Sequence, residues 1–419
     1  MASLTDELTT RGLIDGVGGG TLTEVLSKKR NVYLGMDPTA DSLHVGHLVP
    51  ILLMHHLAQA GHKPYFIVGG GTGLIGDPRA TGERPLITTQ EVNKNVKGLT
   101  KQLSRLFGEK SFVMINNATW LTKLRAIDFL RDIGKHFTVN QLIKRDLIKR
   151  RLDDEQDSIS YTEFSYSLLQ AYDYEVLADT HNVDLQIGGA DQWTNILSGV
   201  DLVRKRLSKT VYALTTPIIV DKSTGKKFGK SEGNAVWLDA TKTSPFAFYQ
   251  FWFNVADENL EEYLKIFTFL PLKKIERVVA THTDAPHKRL GQRTLASEVT
   301  AFIHGKEAVE SVERVMAILY HGESLANISA KDKALLVKEA PSFVVQKKDV
   351  AKGIAIVDVL VMSALSESKG EARRLLLQKA VSVNGREVTA VDEVLQSDDM
   401  VNGITLLRRG KKVAVLVLA

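Results

Sequence analysis

The sequence contains no cysteine among its 419 residues. That absence excludes disulfides, thiolate zinc sites, iron–sulfur clusters and a cysteine nucleophile, and it fits a reducing compartment. No apolar run approaches the roughly 18 residues that a membrane-spanning helix needs, and the acids Asp6 and Glu7 interrupt any apolar signal core near the N-terminus. We therefore expect a cytoplasmic protein with no membrane partner.

Neither sign of charge dominates the sequence. Its 54 lysines and arginines against 49 aspartates and glutamates give a formal net charge of +5. Hydrophobic residues make up 44% and charged residues 25%, which is typical of an ordinary globular protein with two or three domains. So small an excess only permits a polyanionic partner, and the position of the basic residues matters more than their number.

Residues 31–71 show the pattern of a strand, a helix and a second strand. We predict strands at 32–36 and 65–68, with a helix from Leu43 to Ala60 that is kinked at Pro50 between them. Two strands joined by a crossover helix indicate a parallel sheet.

The rest of the chain divides by pattern into further segments. Helices are predicted over 90–107, 121–152, 161–179, 191–207, 261–269 and 296–319, with strands at 185–187 and 217–220. These elements predict an α/β domain over 1–220, a mainly helical region over 221–325, a polar linker over 326–351 and a small domain over 352–419.

Two glycine-rich motifs resemble nucleotide-binding loops and fail in detail. Gly71 to Gly76 has the spacing of a dinucleotide fingerprint, but Asp77-Pro78 interrupts the helix that the third glycine should open. This disfavours a dehydrogenase. Lys227 to Ser231 resembles a P-loop, but Gly225 leaves three residues instead of four before the Gly-Lys pair.

A histidine motif, His44-Val45-Gly46-His47, follows the first predicted strand. The spacing places both rings on one face of a helix at its first turn, and Asp41 or Ser42 would cap that helix. A helix N-terminus with histidines and a glycine is suited to an anion. A surface histidine pair and a metal site are the alternatives, although two histidines without a third ligand are weak evidence for a metal.

The histidine motif and the downstream Lys-Phe-Gly-Lys-Ser loop together resemble the two signatures of class I aminoacyl-tRNA synthetases. Within that class, residues 33–39 and the blocks 162–166 and 186–193 resemble bacterial-type tyrosyl-tRNA synthetases. The resemblance covers essentially the whole chain. It implies an α/β, Rossmann-like parallel-sheet nucleotide-binding catalytic domain, then an α-helical domain and a small α+β RNA-binding domain.

A polar stripe runs along the predicted helix over 161–179, because Tyr166, Gln170 and Asp173 fall four and three residues apart. Such a stripe is either a buried network or the wall of a binding site. The resemblance implies that Tyr166 and Gln170 meet the α-amino group of tyrosine, while Asp173 and Tyr33 meet its phenol hydroxyl. Phenylalanine would leave both partners of the hydroxyl unpaired, a form of discrimination for which this enzyme class is itself the well-known example.

The resemblance also implies roles for the other site residues. Asp77 would meet the amino group and Gln192 the carboxylate. ATP would be bound by Gly35, Asp37, Thr39, His44, Gly46, His47, Arg84, Gly189, Asp191, Lys227, Lys230 and Ser231. Catalytic roles fall to Thr39, His44, His47, Lys227 and Lys230. The loop after Asp77 is shorter than in the family and lacks its usual lysine.

The implied reaction is the activation of L-tyrosine with ATP, followed by transfer of tyrosine to the 3′ end of tRNA(Tyr). The tyrosine carboxylate is already ionised, so the chemistry needs positioning and positive charge more than a general base. ATP is a substrate that brings Mg²⁺ with it. We expect no permanently bound cofactor and no metal site on the protein.

Clustered basic residues in the last segment predict a surface that follows an RNA backbone. The candidates are Arg373, Arg374, Arg408 and Arg409, with Lys369, Lys379, Lys411 and Lys412 nearby, and Arg204 and Lys205 in the first domain. A solvated charged surface is the alternative. The resemblance further implies a homodimer.

Two other functions fit parts of the sequence and are disfavoured. A tryptophan-charging relative is disfavoured because Tyr33 and Asp173 suit a phenol and because the C-terminal module is present. A non-catalytic RNA-binding protein is disfavoured because His44, His47, Lys227 and Lys230 are all intact, and binding alone would not need all four.

Overall fold

The computed structural model describes residues 3–78, 87–154, 156–229, 235–410 and 412–419, without the side chains of Asp146 and Leu147. The predicted site residues Arg84, Lys230 and Ser231 lie outside the described residues, as does Lys411. The chain forms two compact units, one of residues 1–243 and 252–299 and the other of residues 244–251 and 300–419. In the described part of the chain, no helix is long and apolar enough to cross a membrane.

A six-stranded sheet lies in the first unit. Its strands are β1 Gly16–Gly18, β2 Asn31–Met36, β3 Lys63–Val68, β4 Val113–Asn116, β5 Val183–Gly189 and β6 Tyr212–Thr216. The order is β1-β6-β5-β2-β3-β4, with β1 antiparallel to β6 and every other pair of neighbours parallel. Val32, Phe66, Leu185 and Ile187 are buried, as expected when helices cover a parallel sheet.

Three of the four predicted strands are confirmed, and the fourth is wrong. The strand predicted at 217–220 instead ends at Thr216. Pro217 has no N–H to donate to a neighbouring strand, so it ends the ladder. The apolar residues after it continue into the loop that carries the lysine motif.

The remaining elements up to residue 304 are helices, of which one lies mostly in the second unit and another ends in it. They are α1 Leu4–Thr10, α2 Leu22–Leu26, α3 Leu48–Gln59, α4 Thr89–Phe107, α5 Ala118–Leu121, α6 Ala126–Asp128, α7 Val139–Leu142, α8 Asp146–Asp153, α9 Tyr161–Thr180, α10 Trp193–Leu207, α11 Pro245–Phe253, α12 Asp257–Phe267, α13 Leu272–Asp284 and α14 Leu290–His304.

Three predicted helices need correction. The continuous helix expected over 121–152 is a chain of short helices that includes a π-turn at Phe129–Ile133, and Gly134 weakens helix continuation there. The helix expected over 296–319 is split at Gly305, whose φ of 89° no α-helix contains. The first crossover helix begins after Leu43, and Pro50 lies in its first turn, where a missing N–H breaks no helical bond.

The N-terminal helix α1 is tied to the end of α12 by one buried guanidinium. Arg11 donates to the carbonyl oxygens of Lys265, Thr268 and Leu270 at 3.0, 3.0 and 2.8 Å. The last carbonyls of a helix have no intrahelical donor, so this arginine satisfies groups that burial would otherwise leave unpaired.

The second unit contains helices and an antiparallel-rich sheet. Its elements are α15 Lys306–His321, α16 Ala330–Glu339, β7 Ser342–Val345, α17 Lys347–Lys352, β8 Ile354–Ala355, α18 Ile356–Met362, α19 Lys369–Leu377, β9 Val381–Val383, β10 Arg386–Glu387, β11 Val394–Leu395, β12 Ile404–Arg409 and β13 Lys412–Leu418. The sheet order is β10-β9-β12-β13-β7, with β7 parallel to β13. The separate strands β8 and β11 pair with each other.

The stretch over 326–351, expected as a linker, is folded. Ser329 caps α16 by accepting a hydrogen bond from the backbone N–H of Asp332, and Leu336 on that helix is fully buried. The following strand β7 adds to the C-terminal sheet. Polar composition hid these elements, because the exposed faces of a short helix and an edge strand look like a loop in sequence.

Candidate active site

A cavity of about 390 Å³ is lined by residues that follow the carboxyl ends of β2, β3 and β5. Strand β2 lies between β3 and β5. The chain continues from β2 to β3 on one side and from β5 to β6 on the other, so a crevice forms at this point. Every described residue that the sequence predicted for tyrosine or ATP lines this cavity. They are Tyr33, Gly35, Asp37, Thr39, His44, Gly46, His47, Asp77, Tyr166, Gln170, Asp173, Gly189, Asp191, Gln192 and Lys227.

Asp173 is a buried carboxylate held by two donors. Asn117 Nδ2 donates to it at 2.9 Å and Trp120 Nε1 at 2.7 Å. Burial raises the pKa of Asp173 to about 7, although both hydrogen bonds act in the opposite direction. The geometry therefore fixes an oriented acceptor at one wall of the cavity.

Tyr33 lies on the central strand β2 and is 1% exposed. Its hydroxyl has no hydrogen-bond partner among the described residues, and its ring meets that of Tyr174 edge to face, with centroids 5.0 Å apart. Burial, with smaller contributions from Tyr174 and Asp173, raises the pKa of Tyr33 well above its usual value. A buried hydroxyl without a partner costs free energy unless a ligand satisfies it.

Asp37, directly after β2, is bound by two hydroxyls. Tyr166 Oη and Thr72 Oγ1 each donate to its carboxylate at 2.7 Å. Asn117 Nδ2 also donates to Thr72 Oγ1, at 3.0 Å, and thereby links this carboxylate to Asp173. The polar stripe of α9 is thus both a network and a cavity wall, and the two interpretations of the stripe are not exclusive.

Asp77 is bound by the amide groups of two side chains. Gln192 Nε2 donates to it at 2.9 Å and Asn195 Nδ2 at 3.2 Å. Asn195 Nδ2 also donates to Gln192 Oε1 at 3.2 Å. Behind them, Arg145 Nη1 donates to Asn195 Oδ1 at 3.2 Å.

The histidine motif caps its own helix. His44 is the N-cap of a 3₁₀ turn at Val45–His47, and its Nδ1 accepts from the N–H of Gly46 at 3.1 Å. The expected cap by Asp41 or Ser42 is therefore wrong, and Ser42 Oγ donates to the carbonyl of Leu43. The centroids of the two histidine rings lie 4.0 Å apart.

Both histidines accept a backbone hydrogen bond at Nδ1. His47 does so from the N–H of His44 at 3.2 Å. Burial and the neighbouring His44 lower the pKa of His47 to about 3, so this ring is neutral at physiological pH. An accepting Nδ1 places the ring proton on Nε2, which makes the neutral imidazole a donor suited to an anion.

The lysine motif reaches the histidine motif. Lys227 lines the cavity and is one of the cations that lower the pKa of His47, after burial and His44. Phe228 is buried in an aromatic cluster with Trp252, Tyr263 and Phe267, its ring centroid 5.0 to 5.4 Å from theirs. This buried phenylalanine fixes the position of the loop beside the cavity.

Several cavity residues were missed by sequence analysis. Asn117 and Thr72 join the half-buried carboxylate of Asp37 to the buried one of Asp173. Gln186, on β5, lines the cavity with a buried Oε1 that no described residue satisfies. A glutamine between Leu185 and Ile187 in an apolar strand is a signal that could have been used. Asn117 had no such signal, because it lies in a loop of polar residues.

The basic residues predicted for RNA divide into two groups. Arg373 and Arg374 are exposed on α19. Arg408 is half-buried and donates to the carbonyl of Ile318, while Arg409 donates to that of Leu365 at 2.7 Å and pairs with Glu371 at 2.8 Å.

In the first unit, Arg204 and Lys205 both pair with Asp201, at 2.5 Å each. Arg151, which lies in another basic run, is buried in ion pairs with Glu163 and Asp157. These ion pairs occupy basic side chains that the sequence alone suggests are available to bind RNA.

The glycine-rich motif is not a dinucleotide loop in the structure. Thr72–Leu74 form a 3₁₀ turn, and Gly76 has a φ of 83° without opening a helix. A Cβ at Gly69 would lie 2.1 Å from Asp37 Oδ1. The glycines after β3 thus allow the backbone to approach Asp37.

The amino-acid sequence and the cavity together define a class of enzyme. Residues 27–321 match the family of class I tRNA synthetases that act on tryptophan and tyrosine, "tRNA synthetases class I (W and Y)". Residues 332–417 match the "Tyrosine--tRNA ligase SYY-like C-terminal domain". The chain belongs to the class I tRNA synthetases.

Comparison with individual relatives shows to which group within this class the chain belongs. The tyrosine–tRNA ligase of Streptococcus mutans serotype c is 44% identical over 418 residues, and that of Lactococcus lactis subsp. cremoris is 45% identical over 415 residues; each alignment covers 97% of both chains. A C-terminally truncated mitochondrial tyrosyl-tRNA synthetase of Aspergillus nidulans has a TM-score of 0.67 at 31% identity, covering 76% of this chain and 95% of that one. Within its class, the chain belongs to the tyrosine–tRNA ligases.

Proposed function

We propose how the residues of this cavity perform the first step of tyrosine–tRNA ligation. A tyrosine carboxylate oxygen attacks the α-phosphorus of ATP, a new P–O bond forms, and the bond to pyrophosphate breaks. In the second step, a hydroxyl of the terminal tRNA ribose attacks the adenylate carbonyl and AMP leaves. One observation carries the assignment: the hydroxyl of buried Tyr33, which has no partner among the described residues, lies in the same cavity as the oriented carboxylate of Asp173.

Tyr33 and Asp173 recognise the phenol of the substrate. The substrate hydroxyl donates to Asp173 and accepts from Tyr33, a buried hydroxyl that no described residue satisfies. Asn117 and Trp120 keep the carboxylate in place through their hydrogen bonds. Phenylalanine would leave the hydroxyl of Tyr33 unpaired and Asp173 without the donor that the substrate hydroxyl supplies, and a buried unpaired group costs about 1–3 kcal/mol.

The opposite end of the substrate is a zwitterion. Asp77, Tyr166 and Gln170 surround the ammonium group, with Asp37 fixing the hydroxyl of Tyr166 at 2.7 Å. Gln192 donates to the carboxylate. These fixed dipoles and charges hold the attacking oxygen in place, which converts a bimolecular reaction into a positioned one.

ATP lies along the end of β2 and the histidine motif. Gly35 is exposed on an otherwise buried strand, and a Cβ there would meet open space, so the base and ribose can approach the backbone. Gly46, Gly189 and Asp191 continue this surface. His44, His47, Thr39 and Lys227 contact the phosphates, and Lys230, Ser231 and Arg84 complete that set.

Catalysis comes from fixed donors aimed at charge that develops on the departing pyrophosphate. His47, which is neutral because its pKa is lowered, donates from Nε2, and so does His44, whose Nδ1 accepts from the N–H of Gly46. Lys227 contributes positive charge. Mg²⁺ enters with ATP as part of the substrate, held mainly by phosphate oxygens and water.

The decisive experiment is amino-acid-dependent pyrophosphate–ATP exchange with all twenty amino acids. Exchange with tyrosine and almost none with phenylalanine or tryptophan is expected. Tyr33→Phe should lower the preference for tyrosine over phenylalanine about tenfold or more. Tyr174→Phe is the matched control, because its hydroxyl donates to the carbonyl of Tyr212 at 2.7 Å, outside the cavity. Equal exchange with phenylalanine in the parent would reject the pocket assignment.

The tRNA-binding surface is proposed to include Arg373 and Arg374, with Arg204 and Lys205 of the first unit. Arg408 and Arg409 are assigned mainly to holding the C-terminal unit together, since both are half-buried and bonded to the protein. We keep the division into a catalytic domain over 1–220, a helical domain and a C-terminal RNA-binding domain, and extend the last of these to include α16 and β7.

A homodimer working in the cytoplasm is also proposed. A short segment of the first unit exposes several large apolar side chains, and their contact with water favours a partner surface. They are Ile127, Leu130, Val139, Ile143, Leu152 and Tyr161. Sedimentation should give a dimer that Leu130→Asp with Val139→Asp dissociates. Val344→Asp, at an apolar residue exposed in the second unit, should leave it intact.

A further inference from the structure

Arg145 is half-buried, and its guanidinium is used entirely on neutral groups among the contacts that the structure describes. Nη1 donates to Asn195 Oδ1 at 3.2 Å, and Nη2 donates to Ser198 Oγ at 2.7 Å. Burial lowers the pKa of Arg145 to about 10, and Asp77 offsets this only in part. Holding a cation in such a place has a cost, so a compensating role is expected.

Hydrogen bonds run from Arg145 to the cavity in a fixed direction. A guanidinium has donors and no acceptor, so only the amide oxygen of Asn195 can face it. The NH₂ group of Asn195 must then face the other way, where Asp77 Oδ1 and Gln192 Oε1 both lie at 3.2 Å.

The second amide is oriented by the first. Because the oxygen of Gln192 accepts from Asn195, its NH₂ group must face Asp77 Oδ2, at 2.9 Å, and Asp191, at 3.4 Å. Gln192 lines the cavity. Gln192 therefore presents its NH₂ group to the cavity, where a flipped amide would present its oxygen.

We propose that Arg145 is a positioning residue that sets the polarity of the Asn195–Gln192 amide pair, so that a donor faces the carboxylate of the bound amino acid. The proposal rests on the assignment of Gln192 to that carboxylate. Without the guanidinium, Asp77 alone favours the present orientation of the two NH₂ groups. Flipped amides then become more populated, and the oxygen of a flipped Gln192 would repel the carboxylate that must attack ATP.

The test uses two ligands that differ only in the group concerned. Tyrosine has a carboxylate, and tyramine keeps the phenol and the ammonium group without it. Dissociation constants for both are measured by equilibrium dialysis or by quenching of tryptophan fluorescence. We expect Arg145→Met to weaken tyrosine about tenfold and tyramine by about twofold at most, with kcat for exchange at saturating tyrosine falling less than kcat/KM.

Conservative and control variants separate polarity from structure. Arg145→Lys keeps a donor-only cation and should restore most of the lost preference for tyrosine. Ser198→Ala removes the other bond of Arg145 and should leave the preference unchanged. Arg131→Met removes an exposed arginine that pairs with Asp132 at 2.7 Å, and it should have no effect.

Each contrary result has a separate meaning. A parent enzyme that binds tyrosine and tyramine equally well would reject the role of Gln192, and with it the proposed function at this end of the site. A parent that discriminates, with Arg145→Met weakening both ligands equally or neither, would overturn the polarity proposal alone.

Discussion

Gly229 of the lysine motif lies against Val45 of the histidine motif. A Cβ built at Gly229 would lie 3.0 Å from Val45 Cγ2 and 3.4 Å from the backbone nitrogen of Gly46. The two signatures are separated by about 180 residues in the sequence and touch through a position where only a hydrogen atom fits well. Their contact brings Lys227 to the same cavity as His44 and His47.

Gly229→Ala should slow adenylate formation about tenfold while leaving the dissociation constant of tyrosine within about twofold, because it displaces groups that bind phosphate. Gly225→Ala is the matched control. Both glycines have positive φ, 78° and 67°, but a Cβ at Gly225 meets nothing within 4 Å. Rapid-quench measurement of the adenylate gives the rate. Equal rates for the two variants would show that the contact with Val45 is unimportant.

His44→Ala and Lys227→Ala should each lower the rate of adenylate formation far more than they weaken tyrosine binding. Their donors meet charge that grows on pyrophosphate in the transition state, so the loss appears in the rate constant. Lys226→Ala removes an exposed neighbouring cation that does not line the cavity. This variant should form the adenylate at a nearly normal rate. Stopped-flow fluorescence separates the two effects. A collapse of tyrosine affinity with a normal rate at saturation would contradict the assigned role.

Tyrosine affinity should decrease as pH falls below about 7. The buried Asp173 has a raised pKa, about 7, so the free enzyme loses its ionised acceptor in that range, and a charged acceptor binds a hydroxyl more strongly than a neutral one. Titrations from pH 5.5 to 8.5 measure this. Asp173→Asn should bind weakly with a profile that is flat near pH 7, and a persisting inflection there would assign the titration to another group.

Protonation of His47 at low pH should lower the stability of the folded protein. Its pKa is lowered to about 3, so protonation is favoured in the unfolded chain below its ordinary pKa near 6.5. The stability contributed by neutral His47 is therefore lost as pH falls from about 6.5 towards 3. Chemical denaturation at several pH values should show a smaller loss in His47→Asn than in the parent, and an equal loss would contradict the assignment.

Arg373→Gln with Arg374→Gln should reduce tRNA charging and leave adenylate formation unchanged. Removing two phosphate contacts should lower the slope of log affinity against log salt by about two. Arg386→Gln is the control in the same unit, because this arginine is used in ion pairs with Glu393 and Asp399. Arg386→Gln should lower the stability of the unit and leave the slope of log affinity against log salt unchanged. Normal charging by the double variant would remove α19 from the proposed RNA surface.

Sequence patterns predicted the elements with strong periodicity. The strands around β2 follow from short apolar runs that are buried on both faces. The α/β class follows from the strand, helix and strand over residues 31–71, and the polar stripe on α9 follows from helical spacing. The meeting of two distant motifs at one cavity was accessible only through the family resemblance, because nothing local specifies which loops of a parallel sheet adjoin.

Other features depend on tertiary contacts that a sequence does not display. Asn117 acquires its role by donating to the buried Asp173 and to Thr72, which in turn donates to Asp37. Arg409 loses its availability to RNA by pairing with Glu371. The short helices after Leu121 have no continuous apolar stripe, so the length of a helix was overestimated there. His44 replaces Ser42 as the cap because its ring nitrogen reaches the N–H of Gly46.

The guanidinium of Arg11 has a consequence for the order of events during synthesis. Its acceptors lie 254 to 259 residues further along the chain, and ribosomes add about 5–20 residues per second. Arg11 is therefore synthesised at least about 13 seconds before its last acceptor. Arg11 can pair early with Glu7 of its own helix, but it must wait for these carbonyl partners until nearly two thirds of the chain has been made. Docking of the N-terminal helix is thus a late step, and a chain that stops short of residue 270 carries an arginine whose carbonyl partners have not all been synthesised.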